Sequence, residues 1–530
     1  MVHLTHNQGF RWYSLNNVHC KGCFFDNNDQ LYEGVNMPQF FKDVFSFNDF
    51  VERLKKCNGI FSVIINHQDS YWLAVDRNIS FPLFYSKVEG IYFVSDDPEN
   101  LISRRTVNRI DPFQQTLFKA FGHTFGNKTL INDIYQVGCA EAICLDSNEL
   151  KQIHFHSFSV QRFQDLGYEK LKEAGKNIFD QALSRLVNSL NGRTAVVPLS
   201  GGYDSRFIAA GLKRMGYTNV VCYTYGKREN NPEWRISKKV AGTLGFKWIF
   251  VEYSTEFIQK YICSKEFEPY IHFVGHYSSL FFLQEYFAVR YLNENNLVPE
   301  DAVFLPGHSG DLIGGSQLVK VFEKELSFHD LSEHFIAQKS YYSTLKKTEK
   351  KQLKNELDLW WAGKRDYYAA SVFEEIDIQE KISKVIFNSA LIFDFFGYEK
   401  RFPYWDVPLL DFFLSVPMEH RELKKLYDDI FITHFFEPLG IHFKTELQPT
   451  SFELKKQHLK NYIKGWVPKK MLKNVLLKND WLNYHQATQL LIQEMNQEKY
   501  LVNQNIKSFN EILIAYYLFK ISKNGLTTEK

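Results

Sequence analysis

Thr194-Ala-Val-Val-Pro-Leu-Ser-Gly-Gly-Tyr-Asp-Ser-Arg206 decides the fold. The apolar run Ala195 to Leu199 suits a buried parallel strand, and it stops at Ser200-Gly201-Gly202. From Arg206 to Met215 apolar residues recur at helical spacing. The stretch is therefore a strand, a tight loop and a helix. Two glycines let the backbone bend sharply and approach an anion, Ser200 and Ser205 add hydroxyl donors, and the helix N-terminus points N–H groups at the loop. Leu199, Ser200, Gly201, Gly202 and Ser205 are thus expected to cradle phosphate. Asp204 would repel such an anion unless a cation lies between them, so it reads as a magnesium ligand on a nucleotide's pyrophosphate. A plain Gly-rich turn capped by an Asp is the alternative.

Working outward, Asn219 to Tyr225 and Lys247 to Tyr253 read as further buried strands. Between them lies a helix expected to open with Asn231 as N-cap and Pro232 at its first position, and to close at Gly245. Such alternation makes a doubly wound parallel sheet, whose ligands sit at the carboxyl ends of the strands. Tyr225 falls at such an end. Tyr168 onward is a helix leading into the loop. Ala302 to Pro306 is another strand, ending in Gly307-His-Ser-Gly-Asp311, where Asp311 is either a second carboxylate at a strand end or part of a capping turn.

The N-terminal part reads as strand-rich, with a hairpin candidate over Phe61 to Val75 turning at His67-Gln-Asp-Ser70. Residues 255 to 300 look helical and aromatic and carry little chemical information. The chain has 530 residues, enough for two or more cores. Its 63 Lys and Arg nearly balance 61 Asp and Glu, which gives no electrostatic reason to expect nucleic acid or an anionic membrane as partner. No apolar window is long enough to cross a bilayer, and no leader pattern opens the chain, so a cytoplasmic protein is expected. Seven scattered cysteines argue against a disulfide framework, and Cys20-Lys-Gly-Cys23 lacks the further ligands of a zinc site.

Ser200-Gly-Gly-Tyr-Asp-Ser205 lacks the Gly-Lys-Ser/Thr of a P-loop and resembles the pyrophosphate loop of the N-type ATP pyrophosphatases. Asn58-Gly-Ile-Phe-Ser62, Val75-Asp-Arg77, Pro82-Leu-Phe-Tyr85 and Val94-Ser95 follow the order of the glutaminase domain that precedes the synthetase domain in asparagine synthetases. Thr129 to Gly138 resembles that domain's closing segment. Gly307 to Leu312 resembles the family's Gly-Glu-Gly-x-Asp-Glu-Leu loop, and Glu399 to Asp406 its Glu-x-Arg-x-Pro-Phe-Leu-Asp segment. The fold implied is α/β: a degenerate class II amidotransferase-like (Ntn-type) β sandwich over residues 1–160, then an adenylating pyrophosphatase domain over 165–530.

The resemblance implies an ATP-dependent, amide-forming ligase using ATP and Mg2+, with Asp204 and Asp311 as metal ligands, Gly307 and Tyr225 at the nucleotide, and Glu233 as an acid opening the next helix. It places a lysine beside the acyl-adenylate: Lys444 by spacing, with Lys424 and Lys425 as alternatives. The family's acidic residue after the first glycine is His308 here, a base or substrate contact. Arg401 with Asp406 is expected to hold the loop that shapes the cavity. Val2 stands where the family has its cysteine nucleophile, so no glutamine hydrolysis is expected. The partners implied are a small-molecule or peptide carboxylate and ammonia or an amine, with a separate glutaminase or a homodimer also within the family's range. A non-catalytic scaffold and an intramolecular cyclase of the β-lactam or lasso-peptide type are the competing readings. RNA activation is disfavoured by the near-neutral charge.

Overall fold

The structure is a computed structural model that describes residues 1–147, 149–229, 231–316, 327–443, 477, 479–500 and 508–523. The N-terminal part carries two sheets. One has four strands in the order Val2–His3, Ile91–Ser95, Phe84–Val88 and Tyr135–Gln136. The other has seven: Leu150–His154, Glu141–Leu145, Ser70–Val75, Asn58–His67, Val18–Phe25 and Tyr13–Leu15 in line, with Leu31–Glu33 also pairing the Val18–Phe25 strand. The expected hairpin forms with His67 opposite Ser70. Of the Pro82-Leu-Phe-Tyr85 motif only Phe84 and Tyr85 join a strand, which runs from Phe84 to Val88.

The C-terminal sheet is parallel, in the order Lys247–Glu252, Val220–Gly226, Ala195–Pro198, Val303–Phe304 and Glu399–Lys400. Counted along the chain that order is third, second, first, fourth, fifth. Succession reverses between the strand of Ala195 and the strand of Val303, and such a switch point opens a crevice at the carboxyl ends. The sequence thus delivers the glycine loop after Pro198 and the loop after Phe304 to the two lips of one crevice. Helix Tyr203–Arg214 packs its apolar face on the sheet, burying Phe207, Ile208 and Leu212.

Two helices depart from expectation. The one after the second strand spans Glu233–Leu244, with Pro232 as the cap residue rather than inside it. Asn231 still satisfies an end, accepting from the Glu233 N–H at 2.8 Å. The apolar-periodic stretch from Lys381 to Tyr398, which reads as one helix in sequence, is not uniform: Ile378–Phe387 widens to a π-helix, Asn388–Ala390 tightens to 3₁₀, and Leu391–Phe395 returns to α. Such transitions re-aim side chains, here Ile386 and Ser389, into the cavity described below.

One hydrophobic core runs through both halves. Polar contacts cross it as well. Asn58, on an N-terminal strand, donates its amide to Asp406 at 2.9 Å and accepts from the Val407 N–H at 2.9 Å. The expected pairing of Arg401 with Asp406 is not found. Asp406 takes two bonds from Arg185, at 2.7 and 2.8 Å, while Arg401 pairs with Glu399 at 3.0 Å. The reason is geometric: Asp406 precedes helix Val407–Leu414, which packs on the helix Tyr168–Leu190 that carries Arg185. Among the described residues no helix is long and apolar enough to cross a membrane.

Candidate active site

Leu199, Ser200, Asp204, Ser205, Tyr225, Gly307 and His308 line one cavity of about 390 Å³ at the switch point. Gly201 and Gly202 complete the loop beside it. The Ser200 N–H donates to Ser205 Oγ at 2.9 Å, the two hydroxyls lie 2.9 Å apart, and Gly202 N–H donates to Ser200 Oγ at 3.1 Å. The Gly201 N–H donates to the Glu233 carboxylate, so Glu233 holds the place where a phosphate oxygen would accept. Arg206, fully buried, grips the same loop from behind, donating to the Gly201 carbonyl at 2.7 Å and the Ile441 carbonyl at 3.1 Å.

Asp204 opens helix Tyr203–Arg214. Its carboxylate accepts from Tyr427 Oη at 2.8 Å and lies 3.6 Å from Lys424 Nζ. Burial raises its pKa; Lys424 opposes that shift and the nearby charge of Asp311 adds to it. The lip bearing Asp311 docks directly on Asp204: a Cβ at Gly310 would stand 2.9 Å from Asp204 Cγ and 2.6 Å from Tyr427 Oη, so only glycine fits there. Asp311 itself accepts from Ser316 Oγ at 3.0 Å.

Two carboxylates at adjoining strand ends suit Mg2+, which prefers one or two carboxylates together with substrate phosphates and water to an all-protein cage. Among the described residues there is no cluster of three or more His, Cys, Asp or Glu side chains that could hold a metal. The donor set therefore fits a cation arriving with its nucleotide.

Of the three lysines considered, Lys444 lies outside the described residues. Lys425 lies over the ring of Tyr168, 4.7 Å from its centroid. Lys424 reaches Asp204 because Leu423 and Lys424 both adopt left-handed backbone conformations, with φ of 53° and 64°. Two successive non-glycine residues there cost about 1–2 kcal/mol each, a strain held in place by the surrounding packing.

His308 is half-buried, flanked by Phe387 and Phe402, with Nε2 3.5 Å from Ser389 Oγ and Nδ1 without a protein partner. Burial, and then the charge of Lys400, lowers its pKa to about 4. It is neutral at pH 7 but a weak base, which favours the contact role over proton abstraction. The folded chain then binds fewer protons than the unfolded chain between pH about 6.5 and about 4. The stability this contributes is present above the unfolded pKa and is lost as pH falls. Relative to His308→Gln, wild type should lose on the order of 2 kcal/mol between about pH 7.5 and about pH 5, read from paired urea unfolding curves.

The sequence reading missed other cavity residues. Tyr223 lies two positions before Tyr225 on the same strand face, a signal that period-2 counting could have found. Glu285, Phe282 and Trp481 also line the cavity, and nothing local marked them. Tyr427 and Arg206 act from beside it.

A doubly wound sheet with a glycine loop and an acidic second lip at its switch point defines an α/β ligand-binding domain. A model of the asparagine synthase family matches residues 178–480, more than half of the chain, and the chain belongs to that family, one of ATP-dependent amide-forming ligases. No curated protein matches the sequence. Among solved structures, glutamine phosphoribosylpyrophosphate (PRPP) amidotransferase from B. subtilis, complexed with ADP and GMP, is similar at 11% identity and a TM-score of 0.17. The similarity covers 57% of this chain and 58% of that one, less than two thirds of its length. At that TM-score it says nothing about function.

Proposed function

We propose that this chain activates a carboxylate with MgATP and joins it to ammonia or an amine. A carboxylate oxygen bonds to the α phosphorus as the bond from that phosphorus to the bridging oxygen breaks, releasing pyrophosphate. Nitrogen then bonds to the acyl carbon, AMP leaves, and the surplus proton passes to solvent or a nearby base. The observation that carries this reading is the seating of the Asp311 lip on Asp204 through Gly310.

Magnesium, when bound, would neutralise charge on the departing pyrophosphate. Asp204 and Asp311 would hold it, the Ser200 to Gly202 backbone and the Ser205 hydroxyl would bind phosphate oxygens, and Glu233 would release the Gly201 N–H to them. Lys424 would turn from Asp204 toward the charge that develops on phosphorus and on the acyl carbon. The test is pyrophosphate release from MgATP across a panel of carboxylic acids, each with and without ammonia or an amine. Release that no carboxylate stimulates would sink the reading.

The N-terminal module is proposed to have no glutaminase activity. Cys20, Cys23, Cys57 and Cys139 are buried and Cys144 is half-buried; burial raises the pKa of every one of these thiols, that of Cys23 to about 11. A thiol so disfavoured as thiolate is a poor nucleophile. Incubation with isotopically labelled glutamine should liberate no labelled glutamate above a no-enzyme control. The nitrogen then comes from free ammonia, a separate glutaminase or a substrate amine.

A further inference from the structure

We propose that Glu285, with Tyr223 and Tyr225, forms a subsite for the positively charged amino group of an organic amine, so that the acceptor is an alkyl- or arylamine rather than ammonia alone. This rests on the ligase reading for its meaning, though not for its test.

The argument begins with charge. Among the described residues the cavity wall carries the carboxylates of Asp204, Glu233 and Glu285 and neither Lys nor Arg. Two of the three are accounted for: Asp204 lies beside Lys424, and Glu233 takes the Gly201 N–H at a helix N-terminus. Among the described residues Glu285 has neutral hydrogen-bond partners, accepting from Tyr223 Oη at 3.5 Å, with Tyr225 lending a second hydroxyl. Burial raises the pKa of Glu285 to about 7, so a proton relieves part of its cost when no cation stands beside the carboxylate, and a cationic ligand group there would hold the carboxylate ionised. Nucleotide phosphates would not.

The surroundings suit the rest of such a ligand. Tyr223, Tyr225, Phe282 and Trp481 present aromatic surface to the same cavity, and ring faces attract ammonium groups while also covering an apolar body. Tyr225 is fixed for this by stacking on Tyr253 at 5.4 Å and 10°, and by accepting from Gln284 Nε2 at 3.1 Å.

The test is ligand-observed NMR titration of the full chain with n-butylammonium and with n-butanol, which differ in the charged head. Wild type should bind the ammonium at least about tenfold more tightly, Glu285→Gln should lose that preference, and Glu285→Asp should keep part of it. Equal affinity of wild type for the two probes overturns the proposal, and so does a preference that survives in Glu285→Gln. If Glu285→Gln instead weakens MgATP binding with the amine preference intact, Glu285 serves the nucleotide and the proposal fails. Should that variant not fold, Glu285→Asp is read in its place, and an undiminished preference there overturns the proposal. Pyrophosphate release is followed on the same protein: release without amine preference removes the subsite and leaves the ligase, whereas preference without release removes the ligase and leaves the subsite.

Discussion

Asp204→Ala should reduce carboxylate-dependent pyrophosphate release by at least about a thousandfold, the scale on which preorganised electrostatic groups act in a water-poor site. In the proposed reaction pyrophosphate leaves with several negative charges, and Asp204 is one of the two carboxylates proposed to hold the cation that offsets them. Its loss leaves Asp311 alone on the opposite lip. It also frees Lys424, which the structure holds 3.6 Å from Asp204 Oδ1 and 3.8 Å from Asp428 Oδ1, and it removes the acceptor of Tyr427 Oη. The hydrogen bond from Tyr404 Oη is made to the Asp204 backbone carbonyl at 2.6 Å and survives the substitution, so the loop and helix should stay folded. Initial-rate pyrophosphate assays, with circular dichroism as the folding control, check this. An Asp204→Ala protein as active as wild type would refute the metal role.

Arg421→Ala should destabilise the fold by about 3–5 kcal/mol, measured as a shift in urea unfolding at constant m-value. Arg421 and Glu374 are each about 1% exposed and form a two-pronged pair, and Arg421 also donates to the Leu312 carbonyl at 3.5 Å. Truncating the guanidinium strands a buried carboxylate, which is why the expected cost is large. A double replacement, Arg421→Met with Glu374→Leu, should recover most of it, because no charge is then left without a partner. The pair also has a functional side. Leu312 follows Asp311 directly, and Arg421 leads into the left-handed turn of Leu423 and Lys424. A Cβ at Gly315 would stand 2.7 Å from the Arg421 carbonyl oxygen. The single variant should therefore also lower pyrophosphate release, by loosening the Asp311 lip and the Lys424 turn together.

Much of the scaffold was legible because its signals are local. Ala195 to Leu199 has the apolar run of a buried strand, the glycines mark the turn, and the helix that follows shows its periodicity. The expected hairpin at His67 to Ser70 and the long helix from Tyr168 rest on equally short-range patterns. Boundaries were less secure: the strand ends at Pro198 although Leu199 is still apolar, and the second strand's helix starts at Glu233 although Asn231 and Pro232 carry capping chemistry. The Leu199 N–H still donates to the Tyr223 carbonyl at 2.8 Å, so the ladder fades across Leu199 rather than stopping at the last paired residue.

The sequence by itself determined the strand, loop and helix of residues 194–215, the acidic residues at 204 and 311, and the family they point to. The tertiary structure decided which groups meet. Strand order put the loops after Pro198 and Phe304 side by side, and Gly310 let them touch. A strained turn brought Lys424 to Asp204, Asp406 went to Arg185 rather than Arg401, and Glu285 came from an unmarked helical stretch to face Tyr223. Backbone periodicity is fixed by neighbours a few residues away. A site at a switch point is fixed by the order in which distant strands pair, and that order is a property of the assembled sheet.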